Sequence, residues 1–167
     1  MRPSRSPGLI AAVLALFGLV AVVLANPSGV RGENQSMPLG TVSPAGGAVG
    51  AWVFTDQPSY QPGSLVIFTL VVLNKSDEDL SLQRRSGQVF DFEVLREGKV
   101  AWNWAHGRFF TMALGAEILP PGIPRVYTVI WDRRDNAGEP VGPGLYEVRA
   151  RYKPGLLDTE PAAFELR

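Results

Sequence analysis

An antiparallel all-β sandwich is the fold this sequence predicts, and three observations predict it. Beyond residue 50, short runs alternate apolar and polar side chains with a period of two. Turn signals rich in Gly, Pro, Asn and Asp recur every ~8–12 residues along the same stretch. No run there carries the apolar stripe of a long amphipathic helix.

The segments before residue 50 read differently. Residues 1–7 hold Arg2 and Arg5 and no acid, and residues 9–25 run without a charge. That is the plan of a signal peptide, with Val23-Leu24-Ala25 as a small-residue cleavage site. The alternative is an uncleaved N-terminal membrane anchor helix, because ~17–25 apolar residues can span a bilayer. Under the positive-inside bias, either one sets the body of the protein outside the cytoplasm, secreted or anchored. Residues 26–49 are dominated by Gly, Pro, Ser, Asn and small residues, the composition of a flexible linker. Residues 50–167 are then the folded domain.

Within that domain, residues 51–56 (AWVFTD) open as a strand with Trp52 and Phe54 on one face. Tyr60-Gln61-Pro62-Gly63 is a turn. Residues 65–73 (LVIFTLVVL) are apolar on both faces, which predicts a central strand covered on both sides. A charged turn at 75–79 leads to a short strand at 80–83. Residues 88–104 form the strongest unit. Phe90, Phe92 and Val94 share one face, with Asp91 and Glu93 on the other. Glu97-Gly98 is the centre of a tight hairpin, and Val100, Trp102 and Trp104 share the core face of the return strand. Phe110, Met112 and Leu114 suggest a short strand face inside the irregular stretch 105–117. After a Pro120-Pro121-Gly122 turn, residues 125–131 (RVYTVIW) are a further strand, and 132–144 a long polar loop. In residues 145–152, Tyr146, Val148, Ala150 and Tyr152 face inward and Glu147, Arg149 and Arg151 outward. Phe164 and Leu166 end the chain as an edge strand. Seven to nine such strands match an immunoglobulin-like sandwich, without the Cys–Trp–Cys signature of antibody domains.

The residue inventory is poor in reaction chemistry. The chain has no cysteine, so disulfides, thiolate metal sites and a cysteine nucleophile are excluded. Sixteen basic and sixteen acidic residues leave no basic footprint for nucleic acid. Membrane contact is expected only through the N-terminal segment. His106 is the single histidine, and no nucleophile elbow accompanies it. Asp132, Asp135, Asn136 and Glu139 cluster in one loop, but Arg133 and Arg134 interrupt them and the spacing is not that of a calcium loop. No phosphate-cradling loop or zinc spacing occurs, so no cofactor and no metal are expected. An enzyme is not expected either. Trp102, Trp104, Phe109 and Phe110 fit either a core or a binding platform.

A resemblance sharpens this. Ser86-Gly87-Gln88 with Phe90-Asp91-Phe92, then Val100-Ala101-Trp102-Asn103-Trp104, resembles the BsuPI-type intracellular proteinase inhibitor domain. Phe109-Phe110-Thr111, Leu114-Gly115, Pro121-Gly122, Trp131-Asp132, Asp135-Asn136, Gly138 and Gly144-Leu145-Tyr146 continue the likeness. The resemblance covers about residues 50–153 and implies an immunoglobulin-like domain that inhibits a bacterial serine protease of the subtilisin kind. Combined with the apolar N-terminal run, it gives an extracytoplasmic inhibitor. The competing expectation is a non-inhibitory interaction or adhesion module of the cell envelope. Either needs a protein-binding surface, and the candidates are the stretches 105–115 and 132–144. Their partner-binding residues are expected to be Trp104, His106, Arg108, Phe109, Phe110, Asp135 and Asn136, since Arg and aromatic side chains are enriched at binding hot spots.

Overall fold

The computed structural model describes residues 47–167, so the expectations for residues 1–25 and for most of the linker lie outside the described residues. The described part is all-β. In chain order its strands are β1 (Val49–Thr55), β2 (Ser59–Tyr60), β3 (Val66–Asn74), β4 (Leu80–Arg84), β5 (Phe90–Arg96) and β6 (Lys99–Asn103). They continue as β7 (Gly115–Leu119), β8 (Arg125–Trp131), β9 (Gly144–Tyr152), β10 (Leu157–Asp158) and β11 (Ala162–Leu166). One sheet has the order β1-β3-β8 and a second the order β2-β11-β9-β5-β6, with β10 also on β9. Pairing is antiparallel except for the two-residue contact of β2 with β11. A small β4–β7 sheet stands apart from both.

The two larger sheets face one core, as a sandwich does. β3 gives Val66, Phe68, Leu70 and Val72, and β9 gives Tyr146, Val148, Ala150 and Tyr152. Phe68 is the hub: the rings of Phe92, Trp102, Trp131 and Phe164 all lie 5.6–6.3 Å from it. Period-two patterning produces this arrangement, because alternate residues of each strand meet across the gap. The buried polar residues Asn74, Asp91 and Thr159 are paired, whereas the Tyr152 hydroxyl in the core has no partner among the described residues. The Asn74 amide donates to Glu78 O and Leu119 O at 2.7 Å each, and its Oδ1 accepts from Ser76 N at 2.9 Å. One buried side chain thus ties the β3–β4 turn to the end of β7.

Several expectations change. β3 is central, yet its second face is only half covered: Ile67, Thr69, Val71 and Leu73 are half-buried. The hairpin turn is as predicted, with Glu97 and Gly98 at φ 51° and 74° between paired Arg96 and Lys99. Val100, however, does not share the core face. The register shifts from Val94↔Trp102 to Leu95↔Val100, so Ala101 is an extra residue on β6. That bulge turns Val100 outward, where it is 46% exposed. Asp91 does not lie on a wet face either; it is 9% exposed. Phe110, Met112 and Leu114 form no strand, because the chain pairs only from Gly115, in β7. Finally, β11 is not an edge strand, since β2 covers its outer side.

Candidate functional site

The loop after β6 is assembled from the core outward. Trp104 N still donates to Phe92 O of β5 at 2.9 Å. Two tight turns follow, His106 N to Asn103 O at 3.2 Å and Arg108 N to Ala105 O at 3.0 Å, with Gly107 supplying φ 69°. Asp91 fixes their start. Its Oδ1 accepts from Ala105 N at 3.2 Å and from Phe92 N at 2.9 Å, and the Lys153 ammonium stands 3.6 Å from Oδ2.

Aromatic rings carry the anchoring to the surface. Centroid distances are 6.0 Å for Tyr152–Tyr127, 4.9 Å for Tyr127–Phe90, 4.5 Å for Phe90–Trp104 and 5.9 Å for Trp104–Phe110. Burial pushes the phenols of Tyr127 and Tyr152 up, so both stay neutral at the inner end of this series. At the outer end, the Arg108 guanidinium sits 4.5 Å over the Trp104 ring and its Nε donates to Trp104 O at 2.8 Å. A cation over an indole is attracted by the negative face of the ring. A third tie is at Thr111, whose carbonyl accepts from Gly87 N at 2.7 Å. A Cβ at Gly87 would come within 2.4 Å of Thr111 Oγ1, so glycine is what admits this approach.

Between and beyond these ties, the chain from Arg108 to Leu114 runs without helix, strand, turn or bend. Phe109, Met112 and Leu114 are 100%, 94% and 79% exposed. Isolated apolar residues on a surface are ordinary, but here three large ones stand exposed within six positions.

The second stretch lies beside the first. Asn136 Oδ1 accepts from Asn103 N at 3.0 Å, next to Trp104. Asp135 Oδ1 instead accepts from Ala137 N and Glu139 N at 2.8 and 2.9 Å, holding its own turn. Among the described residues, no group of three or more His, Asp and Glu is placed to hold a metal ion.

The expected residues therefore divide. Trp104, Arg108 and Phe110 come together, and Asn136 joins them through Asn103. Phe109 projects away from this cluster, and His106 is exposed on the turn. Trp104 is no open platform, since it is half-buried between Phe90 and Arg108. Four residues were missed: Asp91, Gly87, Met112 and Leu114. Alternation gave no signal for the last two, because it puts Met112 and Leu114 on the face of Phe110, which packs on Trp104.

The sequence model of the BsuPI family, described as an intracellular proteinase inhibitor, matches residues 53–153, well over half of the chain. No curated protein matches it significantly. Similar solved structures include an alkylpurine DNA glycosylase of Pseudomonas fluorescens, at 16% identity and TM-score 0.46, covering 74% of this chain and 31% of that one. A β-glucosidase of Erythrobacter marinus has 15% identity and TM-score 0.44, over 71% of this chain and 15% of that one. The CARDB domain of a Pyrococcus furiosus protein has 14% identity and TM-score 0.40, over 71% and 94% of the two chains. The chain thus spans less than a third of the first two.

One expectation is corrected by the family. Its description as intracellular points to the cytoplasm and overturns the extracytoplasmic, secreted or membrane-anchored location. That expectation rested only on the charge and hydropathy of residues 1–25, and nothing in the domain's own residues supported it. This chain belongs to the BsuPI family of intracellular proteinase inhibitors: its domain is an inhibitor-like one, and the partner class the family implies is a protease.

Proposed function

We propose that this domain, an immunoglobulin-type sandwich, inhibits a serine protease of the subtilisin kind by placing the loop of residues 105–114 in the enzyme's cleft. The observation that supports it most is the contrast within that loop. Phe109 is fully exposed, while the flanking Trp104, Arg108 and Phe110 are tied to one another and to the core. A loop held in one shape before binding loses little conformational freedom on entering a cleft. An extended segment adds to a protease cleft as a further strand, with main-chain hydrogen bonds for affinity and side chains for selectivity. Asn136 supports the loop from the neighbouring stretch through Asn103. Asp135 keeps that stretch in shape.

The test is an inhibition constant for the full chain against a subtilisin-type protease, with a melting curve for each variant. Changing Arg108 and Phe109 together to Ala should weaken inhibition roughly 30-fold, about 2 kcal/mol, the hot-spot scale. The melt should persist. Unchanged inhibition with an unchanged melt would remove these two residues from the interface.

A further inference from the structure

We infer that the protease reads this loop as a substrate whose reactive bond is Met112–Ala113, with Met112 filling the primary pocket and Phe109 and Leu114 as flanking contacts. The inference rests on the inhibitory role proposed above and adds the bond. Three exposed large apolar residues lie in the loop, so three bonds compete. The bond after Phe109 is followed by Phe110, which is half-buried with its ring 5.9 Å from Trp104, so one side of that bond is packed on the domain. The bond after Leu114 leads into Gly115, already paired with Arg84 in the β4–β7 sheet. Only at Met112 are both sides of the bond free: Met112 is 94% exposed, and Ala113 is exposed too. The backbone is nevertheless held one residue earlier, at Thr111 O by Gly87 N at 2.7 Å.

That placement explains how a substrate-like segment becomes an inhibitor. The protease serine attacks the Met112 carbonyl carbon, and hydrolysis takes up one water to give a carboxyl at Met112 and an amine at Ala113. Both new ends remain attached to the fold. Upstream they are tied by Thr111 to Gly87, and downstream by β7 on β4. The amine of Ala113 therefore stays near the acyl carbon at high effective concentration, which favours resealing over release. An unanchored peptide of the same sequence would simply be cut.

The experiment uses the full chain and a subtilisin-type serine protease. Prolonged incubation should yield one slow nick, located between Met112 and Ala113 by mass. Met112→Asp should raise the inhibition constant at least ~100-fold and leave the melt unchanged, because the side chain is in solvent. Leu145→Asp, an equal change at another exposed apolar position, should leave inhibition as it was. If the wild type inhibits and Met112→Asp inhibits equally well, the bond assignment falls and the inhibitory role stands. A nick mapped elsewhere in a fully inhibitory protein has the same meaning. If the wild type is rapidly cut at Met112 without inhibiting, or neither inhibits nor is cut, the inhibitory role falls and the inference with it.

Discussion

The β5–β6 hairpin and the loop directly after it are made of the same kinds of side chain and end up in opposite places. Phe92, Val94 and Trp102 pack in or against the core, while Phe109, Met112 and Leu114 stand in water. Composition does not separate them. Backbone pairing does. Phe92, Val94 and Trp102 each have a cross-strand partner, which fixes the face the side chain takes. Residues 108–114 have no strand partner, and only Arg108, Phe110 and Thr111 are tied down. Hydrophobicity therefore states what a side chain gains from burial, and pairing decides whether it is buried.

The largest test of that contrast is at the hub. Phe68→Ala should lower the unfolding free energy by ~3–5 kcal/mol, measured by denaturant unfolding, because four rings lose their neighbour. A loss under 1 kcal/mol would mean that the core is not organised around Phe68. Next comes the joint between the two regions. Asp91→Ala removes the acceptor of Ala105 N and the partner of Lys153, and should cost ~1–3 kcal/mol. Hydrogen exchange at Ala105 should speed up more than at Val94, since the loop loses its tie and the strand does not.

A pH test separates core from surface. Burial pushes the Tyr60 and Tyr152 phenols well above their ordinary value of 10.0, with the Asp56 carboxylate adding to the effect at Tyr60. Their contribution is complete below pH 10, where both states are neutral. As pH rises past 10 the unfolded chain ionises and the folded one does not, so stability falls by up to ~1.4 kcal/mol per pH unit for each tyrosine. Tyr60→Phe should flatten that fall. The smallest effect is expected in the loop, where Phe109→Ala with Met112→Ala should reproduce the wild-type melt. A lowered melt would show that these side chains pack after all, and would erase the contrast.

Much of the scaffold was legible in the sequence. Tyr146, Val148, Ala150 and Tyr152 alternate so regularly that their inward face needed only the period, and Glu97-Gly98 announced its turn. Alternation failed where a non-local event intervened. The bulge at Ala101 depends on how β6 registers against β5, and it turned Val100 outward. Asp91 obeys the period but reaches Ala105 N and lies near Lys153, neither of which is its neighbour in sequence. The candidate loop was placed from its Arg and aromatic residues. Which of them project was hidden, because Thr111's tie to Gly87 joins segments 24 residues apart in the chain.

The turn at Glu97 and Gly98 also sets an order in time. β5 and β6 are joined by two residues, so they meet without closing a long loop, on the ~1–10 μs scale of an isolated hairpin. The pairing of β5 with β9 sets Phe90 against Tyr152, and β3 must find β8 across a similar gap. Such distant pairings are slow, on the order of milliseconds to seconds for all-β domains. Until they form, one side of the hairpin's aromatic face waits uncovered. The exposed loop depends on that wait as well, because Asp91 and Phe90 acquire their partners Lys153 and Tyr127 only when the late strands arrive. The shape of this loop is therefore among the last features the chain acquires.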